Sequence, residues 1–157
     1  KFITAFFRAP AVADAVNRLL NQRDGLALGI CNGFQALIKL GLVPYGEIRP
    51  ITADDPTLTF NTIHRHQSML VRTRIASNKS PWLSECDVND EHLIAISHGE
   101  GRFVCNDALL KQLIGNGQIA TQYVDLTCTP TMDQLYKNVT GDKYQPIFEG
   151  GVNYFKL

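Results

Sequence analysis

The segment with the clearest chemical content is Leu28-Gly-Ile-Cys-Asn-Gly-Phe-Gln35, in which a cysteine stands between two glycines as Gly29-x-Cys31-x-Gly33. A short apolar run leads into the cysteine, and a helical pattern starts just after it. That is the layout of a nucleophile elbow, a tight strand-to-helix turn that lifts one side chain out of the fold. Such a turn holds the nucleophile in a strained backbone conformation, so small neighbours are needed where side chains would collide with the flanking chain. The positive end of the following helix favours a thiolate, and the backbone N–H of Asn32 would point toward an oxyanion. The pattern is compatible with a second reading, a cysteine buried at a strand end, because free cysteine is often a core residue.

The elements expected to hold this turn follow from periodicity. Phe2 to Phe7 reads as a short buried strand. Pro10, tolerated at a first helical position, opens a helix in which Val12, Ala15, Val16, Leu19 and Leu20 recur at helical spacing as far as Gln22. Asp24-Gly25 marks a turn, Leu26 to Ile30 a strand buried on both faces, and Phe34 to Leu40 a helix ended by Gly41. The order strand, helix, strand, helix implies an α/β fold with a mostly parallel sheet and helices on both faces. Further along, Thr57 to Thr62 and Ser68 to Ile75 are rich in β-branched residues, alternate in polarity and suggest an antiparallel pair added to that sheet. Ser80-Pro-Trp-Leu83 reads as a turn or short helix start. His92 to Ser97 reads as a strand, followed by the glycine-broken loop His98-Gly-Glu-Gly101, then a strand from Arg102 to Cys105. Asp107 is the expected N-cap of a helix over 108–114, closed by Gly115-Asn-Gly117, and Ile119 to Val124 is a further strand.

Composition sets the limits. The 157 residues suit one domain with a real core; 45% are apolar and 19% charged, the balance of a globular chain. Fifteen basic and fifteen acidic residues cancel to zero net charge, giving no reason to expect nucleic acid or a membrane as partner. No apolar run approaches the roughly 18–20 residues of a bilayer span, and Lys1 to Arg8 lacks the layout of a secretory signal. The four cysteines, Cys31, Cys86, Cys105 and Cys128, are widely and irregularly spaced, with no Cys-x-x-Cys or Cys/His pair that suggests zinc. Free thiols in a reducing cytoplasm are the expectation.

Against this background the stretch Gly29 to Pro44 resembles the elbow of class I glutamine amidotransferases, and its Cys-Asn-Gly narrows the likeness to the glutaminase domain of phosphoribosylformylglycinamidine synthases. Ser97-His-Gly-Glu-Gly-Arg102 resembles a loop of the same family. Arg72-Thr-Arg74, Asn78-Lys-Ser-Pro-Trp82 and Gln122-Tyr-Val-Asp125 fit its pattern in the same order. The resemblance implies a flavodoxin-like fold in which Cys31 attacks the side-chain amide of glutamine and forms a glutamyl thioester. It implies that Asn32 supplies an oxyanion N–H and that Gln35 contacts the substrate glutamine beside Gly29 and Gly33. It implies that no metal or cofactor serves this step. ATP and magnesium belong to a synthetase domain outside this chain, which accepts the ammonia and converts formylglycinamide ribonucleotide to formylglycinamidine ribonucleotide. For His98, Glu100 and Arg102 the expectation is a structural or domain-interface role, with an ion pair between Glu100 and Arg102 fixing the loop.

One part of the pattern is missing. A nucleophile of this class works with a histidine base and a carboxylate that orients it, and the family draws both from a late His-x-Glu turn. The four histidines are His64, His66, His92 and His98; only His98-Gly-Glu100 has that spacing, and it already matches the other loop. His64 and His66 read as surface or core residues on a strand. The expectation is therefore that residues precede Lys1 and that a stretch is missing between about Thr129 and Leu135. Two alternatives stand beside the glutaminase reading: a catalytically inactive amidotransferase-like binding or regulatory module, and another cysteine hydrolase on the same fold.

Overall fold

The computed structural model describes residues 2–124 of the 157. The junction expected near 129–135 lies outside them, as does the chain beyond Val124. The described part opens with three helices: α1 (Phe2–Phe7), α2 (Pro10–Asn21) and α3 (Asn32–Leu40). A single short turn, α4 (Leu42–Tyr45), follows. Then come β1 (Thr57–Thr59), β2 (Gln67–Ile75), a 3-10 turn at Pro81–Leu83, β3 (Glu91–His98), β4 (Arg102–Val104), α5 (Asp107–Gly115) and β5 (Thr121–Tyr123).

The core is built around α3. Phe34 and Ile38 meet Val43, Phe103, Leu109 and Leu113 in one buried cluster, while Leu40 joins Leu20 and Leu42 in a second, with Leu37 packed against both. The helix that carries the elbow is therefore clamped from two sides. Gly41 ends it as expected, at φ 85°, with its N–H donating to the Ile38 carbonyl; a left-handed residue at this place is the usual role of glycine. Arg8 adds a further cap by donating to the Lys39 carbonyl at 2.8 Å.

Two expected strands are not strands. Phe2 to Phe7 forms α1, with Arg8 N–H donating to the Thr4 carbonyl in helical fashion. A six-residue apolar run fits either a strand or a helical turn, and periodicity does not separate them. Here Phe7 packs on the Leu20–Leu40–Leu42 cluster while Phe2 and Phe6 point outward, so apolar cover on one side sets the outcome. Leu26 to Ile30 is not doubly buried either: it makes a lone bridge at Gly29, and Leu26, Leu28 and Ile30 are 46%, 43% and 53% exposed. Among the described residues no strand lies alongside to cover them.

Consequently the mostly parallel sheet is absent among the described residues, where every ladder is antiparallel. β1 pairs with β4, and β2 lies between β3 and β5. The expected pairing of the segment near Thr57 with that near Ser68 also fails. The intervening chain, residues 60–66, is held by the buried Asn61 rather than by a hairpin, so β1 and β2 join different sheets. Other expectations hold. Ser80 caps the 3-10 turn by accepting from Trp82 N–H, and the β2–β3 register runs from Gln67↔His98 to Arg74↔Glu91. Arg74 and Gln122 sit opposite each other, the guanidinium donating twice to the Gln122 side-chain oxygen at 2.7 and 3.1 Å. The cap of α5 is one residue earlier than expected: Asn106 accepts from Leu109 N–H at 2.8 Å, and Asp107 is the first helical residue.

Candidate active site

Cys31 is the N-cap of α3, at φ 54° and ψ −115°. A side chain with a Cβ at positive φ outside glycine costs of order 1–3 kcal/mol and persists only where the surroundings impose it. The imposing contacts are visible. Gly33 N–H donates to the Ile30 carbonyl across the turn at 2.9 Å, and Gln35 N–H to the Cys31 carbonyl at 3.2 Å. A Cβ on Gly29 would stand 2.9 Å from the Gly33 carbonyl carbon and 2.5 Å from a Leu37 methyl, so Gly29 is needed for the chain to pass this close to the helix. The expectation that Gly33 is needed for the same reason is not met, because a Cβ there meets nothing within 4 Å. The result is an exposed free thiol at the head of a helix. The Asn32 N–H beside it is at a first helical position, where no intrahelical acceptor exists.

The thiol faces a cavity of about 440 Å³. From α3 come Asn32, Phe34 and Gln35; from the other side come Leu58, His66, and Ser97 through Gly101. Of the residues singled out in the sequence, Cys31, Asn32, Gln35, His98 and Glu100 meet here. Gly29 supports the turn from behind and Gly33 lies within α3. Arg102 does not line the cavity, and its expected ion pair with Glu100 is not formed: it donates to the Phe60 carbonyl at 3.2 Å, and Glu100 accepts from Gln35 Nε2 at 3.4 Å. His98 and Glu100 have different partners, so this His-x-Glu spacing is not a histidine held by its own carboxylate.

What holds His98 is Asn61, a residue the sequence did not flag. Asn61 is fully buried. Its side-chain N–H₂ donates to the Arg65 carbonyl at 3.1 Å and the His98 carbonyl at 2.8 Å, and its backbone N–H donates to the Gly99 carbonyl at 2.8 Å. Both amide protons are thus used, and Oδ1, 2.9 Å from His98 Nδ1, must accept. In the neutral ring this places the proton on Nδ1 and leaves the lone pair on Nε2. Gly101 sits against the ring, where a Cβ would come within 2.5 Å of it. His66, expected on a strand, instead lies just before β2 and lines the cavity; its Nε2 is 2.8 Å from Ser97 Oγ, which in turn is 2.9 Å from Ser68 Oγ. Nothing in the sequence marks Asn61 or His66, because their partners lie 31–37 residues away.

Burial pushes the His98 imidazole below its ordinary value of 6.5, and the nearby His66 charge pushes the same way. The unfolded chain therefore takes up a proton on this residue at a pH where the native state does not. Stability contributed by neutral His98 is present above 6.5 and declines as pH falls below it. Chemical denaturation between about pH 7 and 5 is expected to show a smaller loss of stability for His98→Gln than for the unaltered protein; identical slopes would refute it.

Residues 1–146 match the CobB/CobQ-like glutamine amidotransferase domain. The chain belongs to this family. As an amidotransferase domain it is 34% identical over 113 residues to the phosphoribosylformylglycinamidine synthase subunit PurQ of Synechococcus sp. (strain JA-3-3Ab), an alignment covering 72% of this chain and 45% of that protein. In fold it resembles a chain of the solved PurLQS structure from Thermotoga maritima, with a TM-score of 0.55 and 23% identity over 78% of this chain and 48% of the other. The amidotransferase domain thus spans about half the length of the relatives it matches. Family and fold agree with the class I glutamine amidotransferase fold expected from the elbow. Among the described residues no helix is long and apolar enough to cross a membrane. Away from the cavity, Cys86, Asp90 and His92 bring one ligand-capable atom each within 4.8 Å of one another, a grouping the cysteine spacing did not show.

Proposed function

We propose that this amidotransferase domain is the glutaminase part of a phosphoribosylformylglycinamidine synthase acting in the cytoplasm. Its Cys31 sulfur attacks the side-chain carbonyl carbon of glutamine, and the backbone N–H of Asn32 receives the developing oxyanion. The C–N bond breaks as the proton given up by the Cys31 thiol is passed to the departing nitrogen. Ammonia leaves, and water then cleaves the glutamyl thioester to glutamate and free thiol. Gln35, one turn into α3, contacts the substrate. The step needs no metal. The ammonia passes to a synthetase partner, which uses ATP and magnesium to turn formylglycinamide ribonucleotide into formylglycinamidine ribonucleotide. The likeness to the PurQ subunit supports the pathway. The observation that carries the chemistry is Cys31 itself, strained at φ 54° at the head of α3 and open to the cavity.

A glutamine analogue bearing an electrophilic ketone in place of the amide tests the reading. It is expected to add its mass to Cys31 alone among the cysteines, with excess glutamine protecting. Labelling that ignores glutamine would favour another cysteine hydrolase; no labelling of the folded protein would favour the inactive module.

A further inference from the structure

The cavity contains a charge that has no ion-pair partner among the described residues. Among the described lining residues Glu100 is the one carboxylate, and none is a lysine or arginine. The ion pairs of the described residues, Arg49–Asp55 and Arg72–Glu91, do not involve it. The nearest cation in sequence, Arg102, is committed to the Phe60 carbonyl. The partner Glu100 does have is Gln35 Nε2 at 3.4 Å, a long contact between exposed groups. The backbone that carries it is fixed: Asn61 N–H holds the Gly99 carbonyl, the Asn61 side chain holds the His98 carbonyl, and Gly101 is pressed against the His98 ring.

The position suits the far end of the substrate. Gln35 stands four residues from Cys31, about 6 Å along the helix axis. Glutamine, extended from its reacting carbon to its α-nitrogen, spans about 5 Å. With the amide carbon at Cys31 and the ligand lying along α3, the α-ammonium comes to the level of Gln35 and Glu100. A carboxylate there, on a held backbone and with no cationic partner among the described residues, matches a cationic group in charge and hydrogen bonding.

We propose that Glu100 receives the α-ammonium group of the substrate and so makes the site selective for an α-amino acid amide over the same amide without its amino group. This rests on the glutaminase reading above. The test compares L-glutamine with glutaramic acid, which differs only in lacking the α-amino group, on the full protein and on Glu100→Gln. The unaltered protein is expected to favour glutamine by about tenfold or more in kcat/KM. Glu100→Gln is expected to lose about tenfold to a hundredfold on glutamine, mostly through KM, and to leave glutaramic acid within about twofold. Glu100→Asp, which keeps the charge, should recover part of the loss. An equal fall on both substrates, an unchanged rate on glutamine, or equal turnover of the two by the unaltered protein would overturn the proposal. If Glu100→Gln does not fold, Glu100→Ala carries the same two-substrate comparison with the same expected and overturning outcomes. A folded protein that releases ammonia from neither substrate, and whose Cys31 no glutamine mimic labels, would instead sink the glutaminase reading and this inference with it.

Discussion

Replacing Cys31 by alanine is expected to reduce ammonia release from glutamine by about ten-thousand-fold or more, the scale seen when a covalent nucleophile is deleted. The fold should survive. The thiol is exposed and belongs to neither buried cluster, and alanine keeps the Cβ, so the turn is no more and no less strained than before. Thermal unfolding of Cys31→Ala is therefore expected within a few degrees of the unaltered protein. Cys31→Ser separates shape from chemistry: its hydroxyl occupies the same place but is a far weaker nucleophile without strong activation, so it should also lose most activity. Residual hydrolysis within tenfold of the unaltered protein in either variant would remove Cys31 from the reaction. The measurement is a continuous ammonia or glutamate assay on the folded variant alongside its melting curve.

The second large effect is expected at Asn61, whose side chain and backbone N–H bond to Arg65, His98 and Gly99 rather than to the elbow. Asn61→Ala deletes three side-chain hydrogen bonds of a fully buried residue and leaves two part-buried carbonyls, those of Arg65 and His98, without this donor. Each unsatisfied buried group costs about 1–3 kcal/mol, and the loss should total about 3 kcal/mol with an unchanged denaturant slope. Asn61→Asp is the sharper variant, since a carboxylate cannot donate to either carbonyl. Because Asn61 also fixes the loop from His98 to Gly101, the surviving folded fraction should label more slowly at Cys31. Urea denaturation with both variants checks the first claim, and a labelling time course checks the second. A loss under about 0.5 kcal/mol, the range of an ordinary surface change, would show that the loop does not depend on this residue.

The contrast between Cys31 and Asn61 also shows what a sequence can and cannot disclose. The elbow was legible because its determinants are local: two glycines, a helical pattern and a terminating Gly41 lie within thirteen residues of one another. β3 and the glycine loop after it were legible for the same reason. The cavity itself was not. Gln35 meets Glu100 across 65 residues, and Asn61 meets His98 across 37; no periodicity encodes such pairings. Phe2 to Phe7 and Leu26 to Ile30 misled because a short apolar run carries no period of its own. The hairpin expected between Thr57 and Ile75 misled because both strands were real and only their partners were wrong.

The backbone at Cys31 has a consequence for anyone improving this protein. Glycine would occupy φ 54° without the penalty that a Cβ incurs, so one of the few positions where the backbone favours a glycine replacement, beside Asp24, His64 and Asn89, is the one the proposed reaction needs most. A selection that rewards robustness alone would drift toward a hardier, silent protein. Any library screened for heat resistance should therefore hold position 31 constant, or score turnover in the same round.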